Sequence, residues 1–269
     1  MSQKLISQEN CRQIQLDILQ EIDSICKSNY LNYYIAYGSL LGAIRHKGYI
    51  PWDDDIDIIM PRADYRKFLD LVKKQQVRME ARFEMIDSDH EGYYYPFAKV
   101  VDNRTVAKME DNLTEHGIWI DVFPIDGLPN NDLLARFQID LCMLLRAMVI
   151  SMTTDFGASD LGNKAAVKKV LSVMAKAVGM QRVSRFESRI MQKYSGRDTK
   201  YVACLFSPYG LREKVEASVL FQTTTLPFEG RLFQAPANWN EFLSRIYGNY
   251  MELPPEEKRR THRIEAWYK

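Results

Sequence analysis

The 269 residues carry 36 basic against 35 acidic side chains, a balance that argues against a polyanion partner such as bulk nucleic acid. That length can bury one large core, as a single domain or as a domain with an appended helical part. Cys11, Cys26, Cys142 and Cys204 show no zinc or redox spacing, and the N-terminus has no apolar signal core, so reduced thiols in a cytoplasmic protein are expected.

Ser7 suits a helix N-cap. After it Cys11, Ile14, Ile18, Leu19, Ile22, Ile25 and Cys26 recur at helical spacing to about residue 28. On that helix Cys11 and Cys26 stand roughly 22 Å apart, too far to bridge. Residues 33–37 read as a strand ending at Gly38, 39–45 as a short helix, and 55–60 as a second strand. Pro61 then opens a helix whose core face is Tyr65, Phe68, Leu69 and Val72. Further strands are expected at 83–87, 94–100, 105–109 and 118–123, the last ended by Pro124. This predicts an α/β (α+β) fold, a mixed β-sheet flanked by helices.

After residue 130 the pattern turns helical. A helix over 132–152 holds the most apolar run, 141–150, which Arg146 interrupts and which falls short of the ~20 residues of a membrane span. A basic amphipathic helix over 164–183 carries Lys164, Lys168, Lys169, Lys176 and Arg182. It reads either as a solvated basic face or, together with 133–152, as a reversible attachment to an anionic membrane surface. Short strands return at 201–206 and 226–233, and 239–247 is a final helix. The division expected is a core over 1–130, a helical region over 131–200 facing acceptor or membrane, and a segment over 201–269 completing the core.

The chemistry concentrates in Tyr37-Gly38-Ser39-Leu40-Leu41-Gly42-Ala43-Ile44-Arg45-His46 and Pro51-Trp52-Asp53-Asp54-Asp55-Ile56-Asp57-Ile58. On a strand, period-two alternation turns Asp55 and Asp57 to one side and Ile56 and Ile58 to the other. Two carboxylates on one face repel unless a cation lies between them, and Mg²⁺ prefers such hard oxygen ligands beside substrate phosphates. A Gly38-Ser39 turn into a helix offers N–H groups and a hydroxyl to a phosphate. Asp121, between Ile120 and Val122, shares a strand face with Trp119 and Phe123. No fixed basic partner for it is visible, so a third metal ligand or a base for the attacking hydroxyl is the economical reading. Asp53 has the parity to contact a second ion or a water, unless Pro51 and Trp52 break the strand. Asp126, before Gly127, reads as a turn residue.

Arg45 and Lys99 are either diphosphate-neutralising groups or ordinary surface cations; Lys99 lies in an apolar strand, where a charge needs a reason. His46, His90, His116 and His262 show no metal spacing and receive no role. Trp52, Tyr93, Tyr94, Tyr95 and Trp119, near these motifs in sequence, read as core or as an aromatic cage for a cationic group.

The order Gly-Ser, then Asp-aliphatic-Asp, then a lone strand carboxylate resembles the nucleotidyltransferase fold. The wording from Tyr37 to Asp57 resembles the LicD family of phosphorylcholine transferases, with fukutin-related proteins as distant relatives. The resemblance continues through Met60-Pro61-Arg62-Ala63-Asp64-Tyr65, Lys99, and Ile120-Asp121-Val122-Phe123-Pro124-Ile125-Asp126. It closes with Tyr247-Gly248-Asn249-Tyr250-Met251 and Leu253-Pro254-Pro255-Glu256-Glu257-Lys258-Arg259. It implies a nucleotidyltransferase-like core with an inserted or appended helical region. The implied activity moves phosphorylcholine from CDP-choline to a sugar hydroxyl of a lipid-linked glycan, teichoic acid or lipopolysaccharide precursor, and releases CMP. Asp55, Asp57 and Asp121 would hold Mg²⁺ or Mn²⁺, in a cytoplasmic protein working at the inner face of the cell membrane. Nucleotidyl transfer from a triphosphate, or a non-catalytic carrier-binding role, are the alternatives.

Overall fold

The computed structural model describes residues 4–110, 112–157, 165–259, 261 and 263–269; Lys164 and His262 lie outside them. Ser7 caps α1 (Gln8–Ser28), its hydroxyl accepting from the Asn10 N–H at 3.3 Å, and the stripe Ile14, Ile18, Leu19, Ile22, Ile25 and Cys26 is buried as its spacing predicts. The following strand, β1 (Tyr34–Ile35), is shorter than expected, because α2 (Tyr37–Arg45) already begins at Tyr37. Tyr37 adopts φ 47°, a left-handed conformation that costs a residue with a side chain about 1–2 kcal/mol. Packing of its ring against Phe123, Tyr209 and Phe242 holds it there.

β2 (Asp57–Pro61) and α3 (Arg62–Lys73) come next, then β3 (Phe83–Ile86), β4 (Ala98–Asp102), β5 (Thr105–Met109), β6 (Glu115–His116) and β7 (Trp119–Leu128). Two strands start later than the sequence suggests. Asp53 closes a turn at Pro51-Trp52 by donating to the Ile50 carbonyl at 2.9 Å, which leaves 53–56 irregular. Tyr93, Tyr95 and Phe97 pack as an aromatic group instead of opening β4.

Pro124 does not end β7. β4 leaves its edge at Val122, and the next antiparallel partner begins at Asp126, so Pro124 falls where that edge needs no ladder donor. That partner is β8 (Tyr201–Ala203), which follows the helices α4 (Asp132–Thr153), α5 (Ala165–Val178) and α6 (Met180–Met191). The single basic helix expected over 164–183 is two helices, broken at Gly179 with φ 97°. β9 (Val215–Glu216), α7 (Ala217–Leu220), the hairpin β10 (Thr223–Phe228) and β11 (Arg231–Pro236), α8 (Trp239–Tyr247) and β12 (Ile264–Tyr268) complete the chain. β12, which the sequence did not suggest, pairs with β5.

The main sheet runs β1-β2-β7-β4-β3, with β8 attached to β7 and β9 to β8. β2 and β7 are parallel and the other pairs antiparallel, so a mixed sheet flanked by helices is the architecture. One apolar cluster joins α1, α2, α8 and the sheet. A second joins α4, α5 and α6 to Tyr93, Tyr95, Phe97, Leu205 and Phe206.

Two close approaches fix the first motif. A Cβ on Gly42 would stand 2.3 Å from the Gly48 carbonyl oxygen, and one on Gly38 would stand 2.3 Å from Asp53 Oδ2. Asp126 is not a turn residue. It sits in β7, fully buried, accepting from Arg62 Nε at 2.7 Å and Nη2 at 2.5 Å and from the Ser195 hydroxyl. This forked pair ties α3 and the 195 turn to the sheet. Arg62→Ala strands a buried carboxylate, so urea unfolding should show a loss of about 3–5 kcal/mol; a loss below 1 kcal/mol would assign the pair no structural weight.

Candidate active site

Strand register builds the centre of the site. Asp57 on β2 stands opposite Asp121 on β7, and Asp121 stands opposite Lys99 on β4. Three charged residues therefore lie abreast across three neighbouring strands, about 4.8 Å apart, and all three face one cavity. Asp121 was expected without a fixed basic partner, but Lys99 Nζ pairs directly with its Oδ1. The Lys99 ammonium is buried and lies 4.5 Å over the Trp119 ring and 5.6 Å from that of Phe97. Lys99 is thus no surface cation; its first partner is a neighbouring carboxylate.

The acidic loop is clamped from behind by α1. Arg12 Nη2 donates to the carbonyls of Ile50 at 3.2 Å, Pro51 at 3.1 Å and Asp53 at 2.6 Å, while Gln15 Nε2 donates to that of Asp54 at 2.9 Å. Asp53 and Asp55, which precede β2 and lie on no strand, consequently line the same cavity as Asp57 and Asp121. Among the described residues, the group of carboxylates whose oxygens converge within 4.8 Å of one another is Asp53, Asp54 and Asp55. This differs from the expected trio Asp55, Asp57 and Asp121. Asp54 also faces a smaller cavity, on the other side of Trp119, and accepts from the Ile264 N–H at 3.4 Å.

Gly38 lines the cavity at the start of α2. Ser39 is buried, and its hydroxyl accepts from the Asp57 N–H at 3.0 Å, so it positions β2. Arg45 does not reach the cavity. Its guanidinium donates to the carbonyls of Tyr250 at 2.7 Å and Glu252 at 3.3 Å, holding the C-terminal segment.

The cavity occupies 460 Å³ where the two apolar clusters meet. Of the suggested cage residues, Tyr95 and Trp119 line it, and Lys99 already covers the face of Trp119. Trp52 lies under Arg259, at 4.7 Å, and edge-on to His46. Tyr93 is buried against Tyr95, Phe97 and His116, and Tyr94 packs on the second cluster. Neither Trp52, Tyr93 nor Tyr94 lines the cavity.

Other rings do. Tyr37 stacks on Tyr209, with centroids 5.8 Å apart, and Tyr209 meets Tyr247 edge-on at 5.4 Å with their hydroxyls bonded at 3.1 Å. Arg146 enters from α4 with Nε donating to the Phe206 carbonyl at 2.6 Å; burial lowers its pKa, and Glu187 opposes that shift. His116 contributes a buried Nε2 with no hydrogen-bond partner among the described residues, and burial, then Lys99, lowers its pKa to about 4. The sequence hinted at Arg146 only as a charge interrupting an apolar run, and at His116 not at all.

A mixed sheet flanked by helices, with a Gly-Ser helix start beside strand carboxylates, agrees with the fold that the sequence resemblance implies. Residues 30–134 match the family described as LicD/FKTN/FKRP, nucleotidyltransferase domain. The lipopolysaccharide cholinephosphotransferase LicD of Haemophilus influenzae is 29% identical over 255 residues, 94% of each chain. Uncharacterized proteins of Rickettsia prowazekii and Rickettsia typhi are 44% identical over 41 residues, 15% of this chain and 15% and 13% of theirs.

Beneath Tyr37 lies Glu213, fully buried. Burial raises its carboxyl to about 7, while Ser207, Tyr37 and the backbone at Cys204 pull it partly back. Because the folded pKa exceeds the unfolded one, stability falls as pH rises from about 4.5 to about 7 and is then level. Glu213→Gln should remove that slope, and at pH 8 chemical denaturation should find it more stable than the parent, by about 3 kcal/mol relative to their difference at pH 4. Parallel stability–pH curves for the two proteins would refute the assignment.

Proposed function

We propose that the protein transfers phosphorylcholine from CDP-choline to a hydroxyl of a lipopolysaccharide- or teichoic-acid-type glycan precursor, releasing CMP. Similarity along 94% of the chain to the Haemophilus enzyme supports the transferred group and the acceptor class. The observation that carries the chemistry is the row Asp57–Asp121–Lys99 facing the cavity beside Gly38.

Mg²⁺, or Mn²⁺, suits this donor set. The ligands on offer are all carboxylate oxygens, those of Asp53 and Asp55 already belong to a converging group, and Gly38 leaves open the space that a Cβ would take beside Asp53. Asp53, Asp55, Asp57 and Asp121 would hold it. When bound, the ion would stabilise charge on the phosphoryl oxygens.

The residues of the chain do the rest. N–H groups at the first turn of α2, opened by Gly38, receive the diphosphate. Lys99, held in place by Asp121 and Trp119, and Arg146 supply positive charge without reorganisation. Asp121 accepts the proton of the glycan hydroxyl as its oxygen bonds to the choline-side phosphorus. The bond to the bridging oxygen breaks, and CMP leaves. His116, neutral at pH 7, offers a hydrogen bond to the sugar. The trimethylammonium group is best received by Tyr209 and Tyr247, whose rings lie near the charges of Asp53 and Asp57.

Purified protein with CDP-choline, Mg²⁺ and a glycolipid acceptor should release CMP. Asp57→Asn and Asp121→Asn should fold and lose roughly 10²–10³-fold or more of that rate. Pyrophosphate from CTP with CDP-choline untouched would replace this reading by nucleotidyl transfer. Tyr247→Leu or Tyr209→Leu should narrow the preference for CDP-choline over CDP-glycerol by about 1–2 kcal/mol, measured as relative kcat/KM, whereas Trp52→Leu should leave it unchanged.

A further inference from the structure

α5 is built inside out. Ser172 and Ala175 are the residues it buries against the protein, while Val167, Val170, Val173, Met174 and Val178 are 52–62% exposed. At 3.6 residues per turn those five side chains fall within an arc of about 140°, with Lys169 and Lys176 along one edge of it. A helix serving only the core would turn its valines inward and its small residues outward; solvent gives no reason for the reverse. Charge around the stripe has one sign. Between Ala165 and Met191 stand Lys168, Lys169, Lys176, Arg182, Arg185 and Arg189 against one acidic residue, Glu187, which is buried.

We propose that the exposed valine–methionine face of α5, with its lysine edge and the arginines of α6, is a peripheral docking surface for an anionic lipid bilayer. The apolar arc enters the boundary between headgroups and acyl chains, and the basic residues meet the lipid phosphates. Among the described residues no helix is long and apolar enough to cross a membrane, so the contact lies in the plane of the surface and is reversible. α4 lies between this face and the cavity, with α5 packed on it and Arg146 reaching the cavity from it.

The test is independent of the transfer reaction and uses the full chain without substrate. Sucrose-loaded vesicles of phosphatidylglycerol and phosphatidylcholine should sediment the protein at low ionic strength. Binding should weaken as salt rises and be much lower on phosphatidylcholine alone. Val170→Glu with Val173→Glu should lower partitioning at least tenfold while leaving the melting temperature unchanged, since these side chains are exposed. Neutralising Lys169 or Lys176 to Ser should cost about fivefold each. Absence of binding to anionic vesicles at low salt, or equal binding by the double-Glu variant, overturns the proposal. So does a dimer in solution that the double-Glu variant dissociates, which would make a second copy the occupant.

Discussion

The site depends on the register of three strands. The parallel pairing of β2 with β7 and the antiparallel pairing of β7 with β4 set Asp57, Asp121 and Lys99 side by side. Two carboxylates about 5 Å apart repel by roughly 3 kcal/mol at the effective dielectric of a protein surface. Lys99 offsets that term from the other side of Asp121, and Trp119 covers it from water. A slip of one residue in any of these strands would turn its charged side chain into the core. The aliphatic neighbours Ile56, Ile58, Ile120 and Val122, all fully buried, hold the register against such a slip.

Much of this was legible in the chain. Alternation of aspartate with isoleucine put Asp57 on the cavity face, and Thr105–Met109 and Trp239–Tyr247 were placed to the residue. What escaped is long-range. The partner of Asp121 is 22 residues away, and only the sheet brings it there. Pro124 looked like a strand terminator because nothing local says that the edge changes partners at that point. Gly179 was hidden in a basic run whose composition is helical on both sides. Arg45 read as a diphosphate-neutralising group or a surface cation, and it takes neither role, since the chain 205 residues later supplies carbonyls for its guanidinium.

The cavity lies on a seam. The sheet and α1, α2 and α8 make one apolar cluster, the helical region makes the other, and Tyr95, Phe97, Phe206 and Arg146 bring the second to the wall of the first. α4 is therefore part of the site's lining. The surroundings of Arg146 explain why the apolar run 141–150 tolerates a guanidinium: its Nε is satisfied by the Phe206 carbonyl, and the residue lines the cavity.

The glycine contacts of the first motif have an evolutionary meaning. Gly42 lies against the Gly48 carbonyl and Gly38 against Asp53, so the helix start and the acidic loop are mutually moulded surfaces, locked from outside by Arg12. An insertion or deletion anywhere between Gly42 and Asp53 would displace several acidic side chains at once, and no single substitution could restore them. Such a stretch is expected to pass between lineages with its length frozen, as an indivisible cassette, while the helices that wall the cavity drift around it.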